Sequence, residues 1–237
     1  MGYVDLHSHV LYGLDDGAPD QATAQAMLDG LAALGVTEQC LTPHQKANQY
    51  LPAWDAIERT LAELDTIRKP HHPTFRLGAE NMWDDVFHGR IASNTIPHYR
   101  GTVAFLVEIP PPLMPPGMID QLFKFRMAGK VPVLAHPERY HALWDNLELA
   151  RSLRRHCAFL LDLGAIAGFH GKRETRAARE LLENGLATGV ATDAHSVGDL
   201  QQAAAGLAWI DKKHGHATTV RLFDHAPRAI LAGQMPD

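Results

Sequence analysis

The sequence predicts an α/β fold, a parallel (β/α) barrel of seven repeats that is closed or nearly closed. Three observations predict it. Seven short apolar runs recur about every 30 residues, the length of a strand, a crossover helix and two loops. Amphipathic helical stretches fill most of the gaps between them. Six of the seven runs finish on a histidine or a carboxylate. Barrel strands present their reactive groups at the C-terminal end in this way. Spacing alone is also met by an open, doubly wound sheet.

The runs are Tyr3–Leu6, Val36–Thr42, Thr74–Leu77, Thr102–Ile109, Val131–Ala135, Ala158–Leu163 and Leu186–Thr192. They do not alternate cleanly between apolar and polar residues, which fits buried parallel strands. Between Pro19 and Leu34 the residues Ala24, Met27, Leu28, Leu31 and Leu34 follow helical spacing. Pro19 suits a first helical turn and Gly35 the position after the end. Trp54, Ile57, Leu61, Leu64 and Ile67 repeat the spacing, and Pro70 stops that helix. Further helices are predicted over Met118–Ala128, Leu143–Arg154, Arg173–Glu183, Leu200–Lys213 and Pro227–Leu231. The prolines between Pro110 and Pro116 read as an extended surface loop. No linker-like break interrupts the alternation, so residues 1–237 are expected to form one domain.

Composition excludes several classes of protein. The chain has 237 residues, 46% apolar and 21% charged, with a net charge of −5. A disordered chain, a collagen-like repeat and a coiled coil are ruled out. The longest apolar stretches, such as Thr102–Pro112, fall well short of the ~18–20 residues of a membrane span. No signal-peptide pattern opens the chain. No basic block marks a nucleic-acid surface. Two cysteines, Cys40 and Cys157, cannot build a disulfide framework, and a cytoplasmic location is the expectation.

The strand ends carry the functional signal. The first run leads into Asp5-Leu6-His7-Ser8-His9, the second into His44, the third into Gly78-Ala79-Glu80 and the fourth reaches Glu108. The fifth leads into His136 and the seventh into Asp193-Ala194-His195. Asp15-Asp16-Gly17, in the loop after the first run, can fold over the same mouth. Residues two apart on a strand point the same way, so His7 and His9 form one pair of donors and Asp193 and His195 another. Imidazole and carboxylate together suit zinc, manganese or iron. Five histidines and four carboxylates exceed the need of one ion and suffice for two or three. Three divalent ions among four carboxylates would leave a charge of about +2, attractive to a phosphate dianion. Such ions also lower the pKa of a bound water toward ~7.

Each feature has an ordinary reading when taken singly. A lone H-x-H on a strand is usually structural, D-D-G alone is a turn, and a lone glutamate is a salt-bridge partner. Their joint occurrence on one face points to a multinuclear metal site. His71, His72, His88, His98, His141, His156, His170, His214, His216 and His225 have no matching partner in the pattern. Nucleophilic alternatives fail. A cysteine phosphatase needs an arginine six residues after its cysteine, where this chain has Lys46 and Leu163. Neither a G-x-S-x-G elbow nor a phosphate-binding P-loop is present.

These motifs resemble the polymerase-and-histidinol-phosphatase (PHP) superfamily, whose members are distorted seven-stranded (β/α) barrels with a trinuclear metal site. Within it, D-D-G, L-G-A-E, Ala135-His136-Pro137-Glu138-Arg139-Tyr140 and D-x-H are similar to the manganese-dependent protein-tyrosine phosphatases of bacterial capsule and exopolysaccharide clusters. The resemblance implies His7, His9, Asp16, His44, Glu80, Glu108, His136, Asp193 and His195 as ligands, with His136 and Asp193 also serving catalysis. It implies Arg139 on the substrate phosphate, through a bidentate grip lysine could not copy; its ordinary reading is a salt bridge with Glu138. It further implies manganese, attack on phosphorus by a metal-bound hydroxide, a phosphotyrosine-bearing export kinase as partner, and relatives that form homo-oligomers. The alternatives are a small-molecule phosphatase such as one for histidinol phosphate, a phosphodiesterase, or a non-catalytic scaffold. One departure stands out: no arginine follows Asp193-Ala194-His195, where the subfamily usually has one, and Arg100 or Arg173 could supply that charge.

Overall fold

The computed structural model describes residues 2–236, so both ends of the predicted domain, residues 1 and 237, lie outside it. Strands occur at all seven predicted places. They are β1 (Tyr3–Asp5), β2 (Val36–Leu41), β3 (His44–Gln45), β4 (Thr74–Leu77), β5 (Glu80–Met82), β6 (Ala104–Glu108), β7 (Val131–Ala135), β8 (Ala158–Asp162) and β9 (Gly189–Ala191). Every pairing between them is parallel.

The sheets do not form the single seven-stranded barrel that was expected. One has three strands in the order β1-β2-β4, and the other six in the order β3-β5-β6-β7-β8-β9. The second and third runs are each followed, after a two-residue break, by a further short strand that belongs to the other sheet. The breaks fall at Thr42-Pro43 and Gly78-Ala79. Pro43 has no N–H for a ladder, but its carbonyl accepts from Glu80 N–H at 3.1 Å. The free edge of β4 is met by a turn rather than by β6, with Arg100 N–H donating to Leu77 O at 2.7 Å. Gly78 is required here because a Cβ would lie 2.9 Å from the Tyr99 ring. That ring crosses the interior and donates its hydroxyl to Leu6 O.

A seam joins β1 to the residues after β9. Ser8 and Ala194 form an isolated parallel bridge, and Asp193 N–H donates to His7 O at 3.1 Å. Below the bridge a side chain replaces the ladder. Buried Asp5 accepts from Thr192 N–H and His7 N–H through Oδ1 and from the Thr192 hydroxyl through Oδ2 at 2.6 Å.

Ten helices surround the described sheets: α1 (Gln21–Ala33), α2 (Trp54–Thr66), α3 (Asp85–Ser93), α4 (Met118–Met127), α5 (Leu147–Arg154), α6 (Leu163–Ala167), α7 (Lys172–Glu183), α8 (Val197–His214), α9 (His216–Val220) and α10 (Ala226–Leu231). The sequence reading missed α3, α6 and α9. Gly89 weakens the helical pattern of α3, whereas its ends are clear: Asp84 caps Phe87 N–H and Asn94 closes it in the left-handed region. The predicted helix over Leu143–Arg154 instead begins with a tight turn, His141–Leu143, and becomes α5 only at Leu147.

Side-chain alternation on β6, β7 and β8 feeds two apolar layers. Leu106, Val133, Ala135 and Leu160 face inward with Val4 and Leu6. Phe105, Val107, Leu134, Phe159 and Leu161 pack outward among residues of the helices. Cys40 and Cys157 lie within these layers and are fully buried. Burial pushes the Cys157 thiol up to about 12 and raises that of Cys40 well above its usual value. Thiolates are therefore scarce at neutral pH. A chromogenic disulfide reagent at pH 8 should label neither cysteine in the native protein and both after denaturation; rapid native labelling would contradict this packing.

Candidate metal centre

All nine side chains named as ligands come together at the C-terminal ends of the strands. Four overlapping groups each bring donor atoms within 4.8 Å of one another: His9, Asp16, His44 and His195; His7, His136 and Asp193; His7, His9 and Glu80; and His44, Glu80 and Glu108. Glu80 lies at the centre and is fully buried. Its Oε2 is 3.4 Å from His7 Nε2, 3.5 Å from His9 Nε2 and 2.8 Å from His44 Nδ1. Its Oε1 is 2.8 Å from His136 Nε2. Asp193 Oδ1 faces His7 Nε2 at 3.2 Å and His9 Nε2 at 3.5 Å. Asp16, the exposed member, places Oδ1 3.3 Å from His44 Nε2 and 3.5 Å from His195 Nε2.

The unpaired atoms in this cluster test its fit to metal. His44 Nδ1, Glu80 Oε2, Glu108 Oε1 and Asp193 Oδ1 are buried without a hydrogen-bond partner. Buried polar atoms are ordinarily paired, and these point at one another. Nitrogen and oxygen donors aimed at shared points suit first-row divalent ions. The residues present fit such ions.

Hydrogen bonds also orient the donors. His9 Nδ1–H donates to Asp15 Oδ2 at 2.8 Å, leaving Nε2 facing inward. His195 Nδ1–H donates to Asp193 O at 2.8 Å, again leaving Nε2 free. Metal-binding imidazoles are characteristically held this way. The electrostatics agree. Burial opposes charge on His9, but its hydrogen bonds to Asp15 and Asp193 push it up to about 10. Burial opposes charge on His44 as well, yet Glu80 and Glu108 push it up to about 11. Against burial, His7 and His44 hold Glu80 well below the carboxylate range, and His7 and Arg139 do so for Asp193. The mouth demands positive charge.

Backbone geometry marks the same places. His136 (φ 34°) and Asp193 (φ 46°) are two of five non-glycine residues in the left-handed region among those described. Such conformations cost roughly 1–3 kcal/mol and cluster at functional sites. Gly17 has a different reason for lacking a side chain: a Cβ there would lie 2.1 Å from the His9 carbonyl oxygen.

Arg139 sits at the rim, and its salt bridge is not the one with Glu138. Its Nη2 donates to Asp162 Oδ2 at 2.7 Å and to Asp193 Oδ2 at 2.5 Å. Glu138 is buried and accepts Asp162 N–H; burial and the Asp162 charge push it up to about 8. Arg139 lines a cavity of about 360 Å³ with Asp162, His170, Asp193 and His195.

Three residues near the site were missed from sequence. Asp15, not only its neighbour Asp16, acts here by orienting His9. Asp162 closes β8, inside a run taken as apolar through Leu163. His170 Nδ1 lies 3.3 Å from Asp162 Oδ2. The signal for Asp162 was present: a carboxylate at its place makes all seven apolar runs end in polar chemistry. A separate cluster, Asp29 with His71 and His72, also holds the Lys69 ammonium at 2.9 Å. His72 Nδ1 accepts from Lys69 N–H, so its Nε2 bears the proton and donates to Asp29. This cluster is a Lys69–Asp29 ion pair reinforced by imidazole hydrogen bonds.

Parallel sheets whose strand ends converge on imidazoles and carboxylates define an α/β protein with a candidate metal centre. Comparison with known proteins is more specific. The family model for capsular polysaccharide synthesis, CpsB/CapC, matches residues 3–232, and the chain belongs to that family. The tyrosine-protein phosphatase YwqE of Bacillus subtilis is 28% identical over 197 residues, 82% of this chain and 78% of that protein. The tyrosine-protein phosphatase CpsB of Streptococcus pneumoniae is 26% identical over 251 residues, 98% and 99% of the two chains. A crystal structure from work on YwqE and CpsB, described as metal-dependent tyrosine phosphatases, superposes with a TM-score of 0.88 at 24% identity. It covers 99% of this chain and 96% of the other. The resemblance to capsule tyrosine phosphatases seen in the motifs therefore holds.

Two outcomes follow from this geometry. Chelation should lower the melting temperature relative to protein with manganese, because the carboxylates would lose their counter-charge; identical melting curves would argue against a preformed centre. Asp15→Ala should weaken metal binding by about 10–100-fold, as loss of an outer partner does, and calorimetric titration would measure it.

Proposed function

We propose that this protein is a metal-dependent phosphomonoesterase acting on phosphotyrosine in a protein, with a tyrosine kinase of polysaccharide export as the matching partner. The family supports the substrate class. The Arg139–Asp193 contact carries the reading, because it sets a phosphate-recognising guanidinium against a candidate ligand. In this reading His7, His9, Asp16, His44, Glu80, Glu108, His136, Asp193 and His195 would hold two or three divalent ions. Manganese is the ion proposed, and iron or zinc would satisfy the same donors. Bound there, the ions would supply Lewis-acid charge and an acidified water.

The chain's own groups have distinct tasks. Both Nη2 hydrogens of Arg139 are committed to carboxylates, so Nη1 and Nε remain for phosphate oxygens. They donate to no protein acceptor among the described residues. Asp162 and Asp193 fix the guanidinium plane before substrate arrives, and such preorganised charge is where much of the rate enhancement originates. Glu80 holds His136 in place at 2.8 Å. A tyrosyl oxygen leaves with a pKa near ~10, so it needs less help from an acid than an alkyl alcohol does. The two cysteines are too deeply buried to act as nucleophiles, which supports transfer to water without a phosphoenzyme. No helix among the described residues is long and apolar enough to cross a membrane, and a cytoplasmic, single-domain protein is the form proposed.

Hydrolysis of a phosphotyrosyl peptide with and without manganese tests the reading. We expect manganese-dependent turnover that His136→Ala and Arg139→Ala each reduce by about 10²–10³-fold, with Arg139→Lys giving little rescue. Turnover of histidinol phosphate but not of the peptide would replace the tyrosine-phosphatase reading with a small-molecule one.

A further inference from the structure

Arg139 is presented by the tight turn Pro137–Arg139. The chain continues through the second tight turn, His141–Leu143, to Trp144. The Trp144 indole Nε1–H donates to Glu138 O at 2.8 Å, so its ring is fixed to the carbonyl just before Arg139. His141 packs on that ring, with centroids 4.2 Å apart. From α7, which packs against the Arg139 turn, the Arg173 guanidinium lies 5.3 Å over the same ring. A cation–π contact uses the face of an aromatic ring. It leaves the in-plane N–H groups of the guanidinium free for an acceptor.

Arg173 has no carboxylate partner among the described residues, unlike its neighbours on α7. Arg176 is paired with Asp145 at 2.8 Å. Arg179 donates to Ile166 O and lies over Trp209. Positive charge in a first helical turn also opposes the helix dipole, so helix stability does not account for Arg173. A cavity of about 370 Å³ opens beside it, lined by His141, Trp144, Asp145, Arg173, Arg176 and Glu180. Arg100, the other cation considered from sequence, is bound to Glu58 and lines a different hollow that contains none of the candidate ligands.

We propose that Arg173, braced on Trp144, docks an acidic side chain flanking the phosphotyrosine, so that the site selects acidic phosphopeptides over bare phosphoesters. The proposal rests on the phosphotyrosine reading above. A carboxylate meets an arginine edge through two parallel N–H bonds. Trp144 fixes that edge relative to Arg139, so one extended peptide would place its phosphate and its acidic residue together.

The test is binding of fluorescent peptides carrying a non-hydrolysable phosphotyrosine mimic, with Asp or Glu at the flanking positions in one set and Gln in the other. Anisotropy titrations would compare the manganese-loaded wild type with Arg173→Ala and Arg173→Glu. We expect the wild type to bind the acidic set about fivefold more tightly, the scale of a well-placed exposed ion pair. That ratio should fall to one in Arg173→Ala and invert in Arg173→Glu. Turnover of p-nitrophenyl phosphate should be unchanged in both variants. A ratio that persists in both variants, or no preference in the wild type, overturns the proposal. Parallel hydrolysis of the matching phosphotyrosyl peptide separates the two readings. A charge ratio that depends on Arg173 without turnover would keep the docking site and remove the phosphatase.

Discussion

The Glu80 carboxylate is the constraint around which the upper half of the molecule is arranged. It is fully buried and faces His7, His9, His44 and His136, four of the five imidazoles in the cluster. A buried carboxylate remains ionised only among compensating positive charge and donors. Meeting that requirement brings the ends of β1 and β7, together with β3, to one point. The interruption at Gly78-Ala79 serves this arrangement, because it starts β5 afresh with Glu80 as its first residue. The break at Gly78-Ala79, together with that at Thr42-Pro43, accompanies the split into two sheets.

Much of this could be read from residue order alone, for physical reasons. Strand positions showed because parallel strands buried on both faces need continuous apolar runs, as Val131–Ala135 and Ala158–Leu161 do. The candidate donors showed because they follow the apolar runs; a period of two places His7 and His9 together, whereas left-handed Asp193 sends its carboxylate to His7 and His136 and His195 joins His9, Asp16 and His44. Other features lacked a local signature. A break just after a run such as Thr74–Leu77 moves the next residues, Glu80–Met82, into another sheet without a mark in composition. The roles of Asp15 and Asp16 depend on which carboxylate turns toward His9, and no spacing rule separates adjacent residues in a turn. Asp162 was hidden because an aspartate that caps a short helix and also holds an arginine looks, in one dimension, like the ragged end of a strand.

The site also accepts costs that the rest of the chain does not. His136 and Asp193 adopt backbone conformations that L-residues rarely take, at the ends of two strands with otherwise regular geometry. Each turn swings a side chain into the cluster that a straight continuation would send along the strand. Such strain persists only where surrounding packing overdetermines it. Here Tyr140 helps, donating to Ala135 O and accepting from Ile109 N–H from a fully buried position.

The seam between β1 and the residues after β9 has a consequence for the order of events during folding. The hydrogen bonds from Thr192 to Asp5 join residues 187 positions apart, and contacts of such long range carry a large loop-closure entropy. His7 and His9 stand on one side of this seam, Asp193 and His195 on the other. No nascent chain that stops short of Asp193 holds the full donor set, however well its earlier repeats have packed. The candidate donor set is complete only once Asp193 and His195 have been added and the two ends of the strand series meet.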